Sequence, residues 1–247
     1  MVELYESIKA QTYKNWEWII YLNGAVVHSK DYDKWTKDKR IKIYRHETGL
    51  DITADSMQYK LRIGEVKRLA FSLGVGDVLV EADHDDILDK DCLKELNKAF
   101  QNEKYGFVYS NNALLGAEKP FSAEHGWTFT KYPYKDRELF AMDAFEPTGR
   151  TVSSMWFSPQ HVRAWRRGVY EKLGGHNPEY IVCDDLELLI RTYLSVPMYH
   201  LPKTLYIYRL TGNNSFLRFG DQINAITNFL IGKYINELQA RDKVLGV

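Results

Sequence analysis

The stretch Asp77-Val78-Leu79-Val80-Glu81-Ala82-Asp83-His84-Asp85-Asp86 carries the strongest fold signal in the chain. Its apolar first half predicts a buried strand, and an acidic cluster begins where that strand ends. Carboxylates this close together repel one another unless a cation or water neutralises them, and a hard divalent ion such as Mg²⁺ or Mn²⁺ prefers their oxygens. Asp83 and Asp85 alternate along the chain, so both can face one ion or its diphosphate. The alternative is a solvated acidic turn that caps the following helix.

Strand-length apolar runs alternate with helical patterns on both sides of this stretch. Strands are predicted at Trp18–Leu22, 41–44, 77–81 and 107–109, and helices at Ile63–Leu73 and 90–102. This alternation predicts an α/β fold in which a mostly parallel central sheet is flanked by helices. Ligands bind beyond the carboxyl ends of the strands in such sheets, which is where the acidic cluster lies.

The second half of the chain has a different pattern. Residues 113–157 are rich in glycine, proline and scattered aromatic residues, which predicts short strands and a loop-rich surface lobe. Helical patterns return at 162–173 and 185–194, and a strand is predicted at 205–208. Residues 221–241 predict a long closing helix.

The composition limits the classes of function. The 247 residues suffice for one domain with an appendage, and 33 basic residues balance 33 acidic ones, so we expect no nucleic-acid partner. Cys92 and Cys183 are far apart, which fits neither a disulfide framework nor a zinc site but fits a reducing compartment. The sequence shows neither a signal-peptide pattern nor an apolar run of membrane-spanning length. We therefore expect a cytoplasmic protein without a transmembrane segment.

A second acidic pair lies downstream, in Cys183-Asp184-Asp185-Leu186-Glu187. Asp184 and Asp185 stand at the predicted start of a helix, where the macrodipole stabilises the ionised carboxylate. A carboxylate held ionised in a cleft can accept a proton from a sugar hydroxyl as that hydroxyl attacks. Ordinary capping of the helix is the alternative interpretation.

Four motifs in this order resemble the family 2 glycosyltransferases of the GT-A fold. The segment SIKAQTYKNWEW at 7–18 resembles the family's opening from helix to strand, and LVEADHDD at 79–86 resembles its metal-binding D-x-D segment. The segment RRGVYEKLGGH at 166–176 is similar to the acceptor-side stretch, and DDLEL at 184–188 stands where the family has its E-D motif. The resemblance covers roughly residues 5 to 215 and implies a GT-A-like fold.

The resemblance implies an inverting transfer from a nucleoside-diphosphate sugar to a glycan or other hydroxyl acceptor. Asp83 and Asp85 would hold Mn²⁺ or Mg²⁺ and the donor's ribose and diphosphate, with Asp86 as a possible helper. The metal would act as a Lewis acid for the departing nucleoside diphosphate. Asp185 would be the base that deprotonates the acceptor, and Asp184 would help orient the acceptor or the base.

Further residues are assigned to the two substrates on the same basis. Lys67 and Arg68 lie where the family often has a basic residue near the donor phosphates, although a solvated helix face explains them equally well. Trp156, Gly175 and His176 would belong to the acceptor side, with core packing as the alternative for the tryptophan. Residues 1–220 would form the GT-A-like domain, with a nucleotide-sugar half at 1–112 and an acceptor half at 113–220, and residues 221–247 a helical extension.

The sequence departs from the family pattern in three places. The strand that usually opens the family, and helps hold the nucleotide base, is not in this sequence. Leu22-Asn23-Gly24 replaces the acidic pair that usually follows the next strand, and there the Asn23 amide could read a base edge. Thr211 stands where many relatives have a histidine that could serve the metal or the phosphates.

Two other classes of protein compete with a glycosyltransferase. A nucleotidyltransferase would carry a glycine-rich N-terminal loop with a basic residue, which this sequence lacks. A non-catalytic nucleotide- or carbohydrate-binding module is the other alternative, which the missing first strand and Thr211 in place of the histidine keep open. A processive synthase would need membrane helices and a Q-x-x-R-W motif after the base, whereas the similar letters at 160–165 are out of register and precede Asp185.

Overall fold

The computed structural model describes residues 1–23, 29–45, 62–118, 126–155, 158–180, 182–212 and 214–247. The helices of these ranges are α1 Val2–Lys9, α2 Ser29–Trp35, α3 Ile63–Leu73, α4 Cys92–Ala99, α5 Gly149–Ser154, α6 Arg167–Lys172, α7 Asp184–Ser195, α8 Ser215–Arg218 and α9 Gly220–Leu245. The strands are β1 Trp18–Leu22, β2 Ile41–Arg45, β3 Val78–Glu81, β4 Ile87–Leu88, β5 Phe107–Leu115, β6 Phe129–Tyr134, β7 Arg137–Met142, β8 Arg163–Arg166 and β9 Met198–Arg209.

The strands form two sheets. β1 and β2 pair in parallel as a two-stranded sheet, and a seven-stranded sheet has the order β3-β8-β5-β7-β6, with β9 beside β5 and β4 beside β9. The predicted parallel pairing holds for β1 with β2 and for β5 with β9. The other ladders of the described residues are antiparallel, because β8 and the β6–β7 hairpin run back beside β5. The predicted α/β class is therefore correct, and its sheet is mixed.

Helices cover the larger sheet on both faces. On one face, α1 and α4 pack on β5, β8 and β9 through a cluster that includes Leu4, Leu96 and Ala164. On the other face, α3, α6 and α7 pack on β3, β5 and β8 around Trp165, whose indole N–H donates to Thr192 Oγ1 over 3.0 Å. The middle of the sheet, which includes β8, is therefore buried on both sides.

The helix predicted over residues 162–173 is wrong in its first part. Residues 163–166 form β8, an interior strand between β3 and β5, and only α6 from Arg167 onward is helical. The strand was hidden because Arg163 and Arg166 interrupt the apolar alternation that marks a half-buried strand. Their guanidinium groups are satisfied by partners elsewhere in the chain, which a local pattern does not reveal.

The long closing helix is α9, which packs on α5 and α7. Its buried residues Ile223, Leu230 and Leu238 join a cluster with residues of both shorter helices. The Asp242 carboxylate near its end accepts hydrogen bonds from Gly149 N, over 2.8 Å, and from the Tyr193 hydroxyl. In the described ranges, the apolar length needed to cross a membrane is reached by none of the helices.

Candidate active site

The acidic cluster begins on β3, at the edge of the larger sheet. Glu81 ends this strand and its side chain is only 2 % exposed. Its Oε1 atom forms an ion pair with the Lys67 ammonium group, which reaches across from α3 and also lies 4.0 Å from Asp83 Oδ1. Burial opposes the charge of Lys67, but Glu81 and Asp83 outweigh it and raise the pKa of the ammonium well above its usual value.

The second charged element is β8, which pairs with β3 so that Arg163 lies directly opposite Glu81. Opposed residues of an antiparallel pair project their side chains from the same face. The Arg163 guanidinium is 2 % exposed, donates to Asp185 Oδ2 over 2.7 Å and lies 3.7 Å from Glu81 Oε2. Arg163 therefore joins the acidic cluster after β3 to the acidic pair at the start of α7.

Asp185 combines ionisation with access to solvent. Its Oδ1 atom accepts a hydrogen bond from Leu186 N over 2.8 Å, and its side chain is 25 % exposed. Burial acts to raise the pKa of Asp185, but Arg163 and Lys67 outweigh burial and hold this pKa below its usual value. Each carboxylate oxygen has two lone pairs, so Asp185 can still accept another hydrogen bond.

Asp184 is in a different environment from its neighbour. Its side chain is 4 % exposed, and burial raises its pKa to about 7, with Asp185 adding to the shift and Lys67 opposing it. Asp184 Oδ2 lies 3.9 Å from His176 Nε2, and burial lowers the pKa of that imidazole to about 3. The His176 Nδ1 atom lies 2.7 Å from the Tyr170 hydroxyl, so this histidine is fixed behind the acidic pair.

Gly175 makes this arrangement possible. It has a φ of +69°, and a Cβ atom there would meet the Tyr170 ring at 2.8 Å. Only glycine adopts such a backbone conformation without strain and leaves room for the ring. Gly175 therefore allows the close contact between Tyr170 and His176, whose Nε2 atom lies 3.9 Å from Asp184 Oδ2.

The aspartates of the acidic segment after β3 have different surroundings. The Asp83 N–H donates to the Tyr206 hydroxyl over 3.0 Å, and Asp86 Oδ1 accepts a hydrogen bond from Arg209 N over 2.7 Å. Burial raises the pKa of Asp86 to about 8, and the charge of Asp83 adds to this shift. The Asp85 carboxylate lies 3.8 Å from His84 Nδ1 and is 38 % exposed.

One group of three side chains can hold a metal ion among the described residues. Glu81, Asp83 and His161 each offer one ligand atom, and the three atoms lie within 4.8 Å of one another. His161 Nε2 is 3.7 Å from both Glu81 Oε2 and Asp83 Oδ2. Glu81 Oε2 and His161 Nε2 are buried without a hydrogen-bond partner among the described residues, so this donor set fits a divalent cation. The predicted ligand Asp85 is not part of this group.

A cleft of about 940 Å³ separates the two sheets. Its walls come from β1 and β3, and α3, α1 and α4 contribute Val66, Leu4 and Leu96. Glu17 Oε1 accepts hydrogen bonds from the N–H groups of Val75 and Gly76, which ties the start of β1 to the start of β3. The two strands therefore begin at one end of the cleft, and the residues at their carboxyl ends also line it.

The structure brings several predicted site residues together at that carboxyl end. Asn23, Lys67 and Asp83 line the cleft, and Asp185 is joined to them through Arg163 and Glu81. Arg68 follows Lys67 in the chain but is exposed and lines a separate, shallow pocket beside Gly175. Trp156 lies outside the described residues.

Sequence reasoning missed Glu81, His161 and Arg163 as site residues. Glu81 could have been found, because a charged residue at the end of an apolar strand needs a partner when it is buried. His161 and Arg163 lie in the segment at 160–165, whose similarity to Q-x-x-R-W is out of register, and they reach the site through the β3–β8 pairing.

Solved structures of other proteins are similar in fold to this chain. S. aureus TarS 1–349 has a TM-score of 0.63 and 13 % identity, and the match covers 93 % of this chain and 60 % of that one. TarS 1–349 in complex with UDP-GlcNAc matches with the same TM-score and identity, over 86 % of this chain and 55 % of that one. Mannosyltransferase PcManGT from Pyrobaculum calidifontis, in complex with GDP-Man and Mn²⁺, has a TM-score of 0.60 and 13 % identity, with 95 % of this chain and 60 % of that one covered. The chain thus spans about 60 % of the length of TarS 1–349.

These structural matches confirm the GT-A-like fold, whereas no curated protein sequence matches the chain. The sequence model described as "Glycosyl transferase family 2" matches residues 1–174, which is more than half of the chain. That match includes β1, β3, β8 and the acidic cluster after β3. The chain belongs to glycosyltransferase family 2.

Proposed function

We propose that this protein is a metal-assisted, inverting glycosyltransferase that moves a sugar from a nucleoside-diphosphate sugar to a hydroxyl group of a glycan or other acceptor. One observation carries the proposal. A continuous series of charged side chains runs from Asp83 in the cleft through Lys67, Glu81 and Arg163 to Asp185 at the start of α7. The candidate donor-binding groups and the candidate base thus belong to one connected network of charges.

The proposed donor site is the cleft lined by β1 and β3. Asp83 and Asn23 offer oxygen and amide groups to a nucleoside, and Lys67 offers a positive charge to a diphosphate. The similar structures of TarS with UDP-GlcNAc and of PcManGT with GDP-Man support a nucleotide sugar as the class of donor. Arg68, which the sequence reading assigned to the same phosphates, would act only after a change in its position, because it is exposed beside another pocket.

The metal ion belongs beside the donor diphosphate. The sequence pattern assigns Asp83 and Asp85 to it, and the Mn²⁺ complex of PcManGT supports Mn²⁺ or Mg²⁺ as the ion. When bound, a divalent ion stabilises the negative charge of the departing diphosphate. In this chain Asp83 would hold the ion, and Lys67 would add a fixed positive charge nearby.

Asp185 is the proposed general base. It is ionised, partly exposed and fixed by Arg163, so it can take the proton from an acceptor hydroxyl. The hydroxyl oxygen forms its bond to the anomeric carbon as the bond from that carbon to the diphosphate oxygen breaks. Attack from the side opposite the diphosphate inverts the configuration. Asp184 would orient Asp185 and the acceptor from its buried position.

The rest of the chain is divided according to the same proposal. Residues 1–112 bind the donor, residues 113–220 bind the acceptor, with Trp156 as a further acceptor residue, and residues 221–247 form a helical extension. Cys92 and Cys183 are buried free thiols, which supports the cytoplasm as the site of the reaction.

The proposal is tested by thermal unfolding of the purified chain with UDP, GDP and dTDP and their common sugars, each with Mn²⁺, Mg²⁺ or EDTA. A ligand at about a hundred times its Kd stabilises the folded state by about 2.7 kcal/mol, which gives a measurable rise in Tm. We expect a metal-dependent rise with one nucleotide class, reduced in Asp83→Ala and retained in Asp136→Ala, whose side chain is 85 % exposed. If every nucleotide sugar leaves Tm unchanged, the donor assignment is wrong.

A further inference from the structure

Two unpartnered polar atoms face each other beside Asp83. Glu81 Oε2 and His161 Nε2 are each buried without a hydrogen-bond partner in the described part of the chain, and they lie 3.7 Å apart. A buried polar atom without a partner loses the free energy of its hydration. A group that binds both atoms would recover this loss.

The position of His161 is fixed by its neighbours. Its ring stacks on the Tyr206 ring, with 5.1 Å between the centroids and 24° between the planes, and its side chain is 12 % exposed. The Tyr206 hydroxyl in turn accepts the hydrogen bond from Asp83 N. His161 and Asp83 are thus fixed on the same tyrosine, with His161 Nε2 3.7 Å from Asp83 Oδ2.

The two carboxylate oxygens of Glu81 have different neighbours. Oε1 is engaged by Lys67, whereas Oε2 faces His161 and lies 3.7 Å from the Arg163 guanidinium without a hydrogen bond to it. Ligands that bind one ion at about 2.1 Å lie roughly 3 Å apart when they are adjacent. The observed 3.7 Å distances are close to this value, so a small inward movement of the side chains would complete a coordination shell.

The charge of the surroundings also favours a divalent cation. Lys67 interacts with four carboxylates, those of Glu81, Asp83, Asp184 and Asp185. Lys67 and Arg163 are the cations paired with this group. The carboxylates of Glu81, Asp83 and Asp185 therefore exceed these two cations by one negative charge, and Asp184 adds a second when it ionises, so the surroundings favour a bound cation.

We propose that Glu81 and His161 are metal ligands together with Asp83, so that the ion is bound by two carboxylates and one imidazole nitrogen. The assignment deepens the proposed function, on which it rests for the part that the ion plays in transfer. His161 comes from the segment before β8 and supplies the nitrogen ligand that Thr211 cannot supply. Because imidazole suits transition metals better than Mg²⁺ or Ca²⁺, the site prefers Mn²⁺ to Mg²⁺.

The test is Mn²⁺ binding to the whole chain without nucleotide. The Kd is measured by electron paramagnetic resonance, and pulsed measurements detect coupling of the Mn²⁺ electron spin to a nitrogen nucleus. We expect nitrogen coupling in the unmodified chain, its loss in His161→Ala, and a Kd at least about tenfold higher in that variant. His84→Ala is the matched control, because His84 is 78 % exposed in the same acidic segment, and it should retain both the coupling and the Kd.

A second variant and a separate measurement complete the test. Glu81→Gln should raise the Kd for Mn²⁺ by a similar factor, provided that circular dichroism shows that the variant is folded. If the variant is unfolded, the nitrogen coupling of the unmodified chain and of His161→Ala decides whether the metal assignment is correct. Equal Mn²⁺ affinity in His161→Ala and the unmodified chain, or Mn²⁺ without nitrogen coupling, would overturn the assignment. Nucleotide sugars that fail to raise Tm while Mn²⁺ shows the coupling would refute the proposed function and leave the metal assignment standing.

Discussion

The acidic segment after β3 and the segment that leads into β8 contribute to the same site in opposite ways. Glu81, Asp83 and Asp85 lie within one short stretch, so their clustering is visible in the sequence. His161 and Arg163 lie far along the chain, and the antiparallel β3–β8 ladder places Arg163 directly opposite Glu81. The acidic groups of this site are therefore visible in short stretches of sequence, whereas the Arg163 guanidinium that pairs with them is brought there by tertiary structure.

The largest expected effect is a loss of kcat when Asp185, at the end of the charged network on α7, is substituted. Asp185→Asn removes the proposed base without changing the size of the side chain, so kcat should fall by a factor of about 10² to 10⁴. The donor-dependent rise in Tm should persist, because Asp185 does not line the donor cleft. Initial rates and thermal unfolding measure the two effects.

Asp136→Asn provides the matched control for that experiment. The Asp136 carboxylate is 85 % exposed at the turn between β6 and β7, so the kcat of the Asp136→Asn variant should equal that of the unmodified chain. An Asp185→Asn variant that keeps full turnover would contradict the role of the base and favour a binding module.

The next prediction tests the positive charge that tertiary structure supplies. Arg163→Met removes the buried guanidinium that pairs with Asp185 and lies 3.7 Å from Glu81 Oε2, so the free energy of unfolding should fall by about 3 to 5 kcal/mol. Urea denaturation measures the change. Arg137→Met, on an exposed arginine of β7, should change the same quantity by less than about 0.5 kcal/mol. Equal effects would mean that Arg163 is not part of a buried network.

Lys67 and Arg68 are neighbours on α3, and substituting each of them distinguishes the effect of a paired charge from that of an exposed one. Lys67→Met leaves Glu81 Oε1 without its ion pair and should lower the free energy of unfolding by about 3 kcal/mol, near the lower limit for a buried pair because Lys67 is 16 % exposed. Arg68→Met should change it by less than about 0.5 kcal/mol, because Arg68 is on the exposed side. Urea midpoints of the two variants provide the measurement. Similar losses would show that α3 is rotated from the orientation described.

The smallest effect appears in the dependence of stability on pH. The folded pKa of His176 is about 3, against an ordinary value of 6.5, so its contribution is present above pH 6.5 and lost as the pH falls towards 3. Asp184 acts in the opposite sense, because its folded pKa is about 7 and its contribution is lost as the pH rises from 3.8 through 7. The two contributions are separated by comparing the unmodified chain with a variant that lacks the His176 imidazole.

His176→Phe should therefore lose less stability than the unmodified chain between pH 7 and pH 4.5, by about 2 to 3 kcal/mol. Urea denaturation at the two pH values measures this difference. The exposed variant His84→Phe should follow the unmodified chain. A pH dependence unaltered by His176→Phe would show that His176 also takes up its proton in the folded state.

Much of the fold was predictable from periodicity. Trp18–Leu22 and Ile63–Leu73 were predicted with the bounds that the structure has, because each shows an uninterrupted pattern of one period. The strand predicted at 107–109 extends to Leu115, since Ser110, Asn111 and Asn112 are polar residues that are nevertheless buried. Polar residues inside a sheet break the sequence pattern, whereas side-chain hydrogen bonds such as Gln160 to Asn112 satisfy them in the folded protein.

The sequence by itself determined the α/β class, the family and the two acidic groups at Asp83 and Asp185, because strand period, helix period and local clustering of charge are all properties of short segments. Only the tertiary structure decided that β8 is a strand, that Lys67 and not Arg68 faces Asp83, and that His161 and Arg163 complete the site. The physical reason is burial. A buried charge is stable only beside a counter-charge, and the β3–β8 ladder brings that counter-charge from a distant part of the chain.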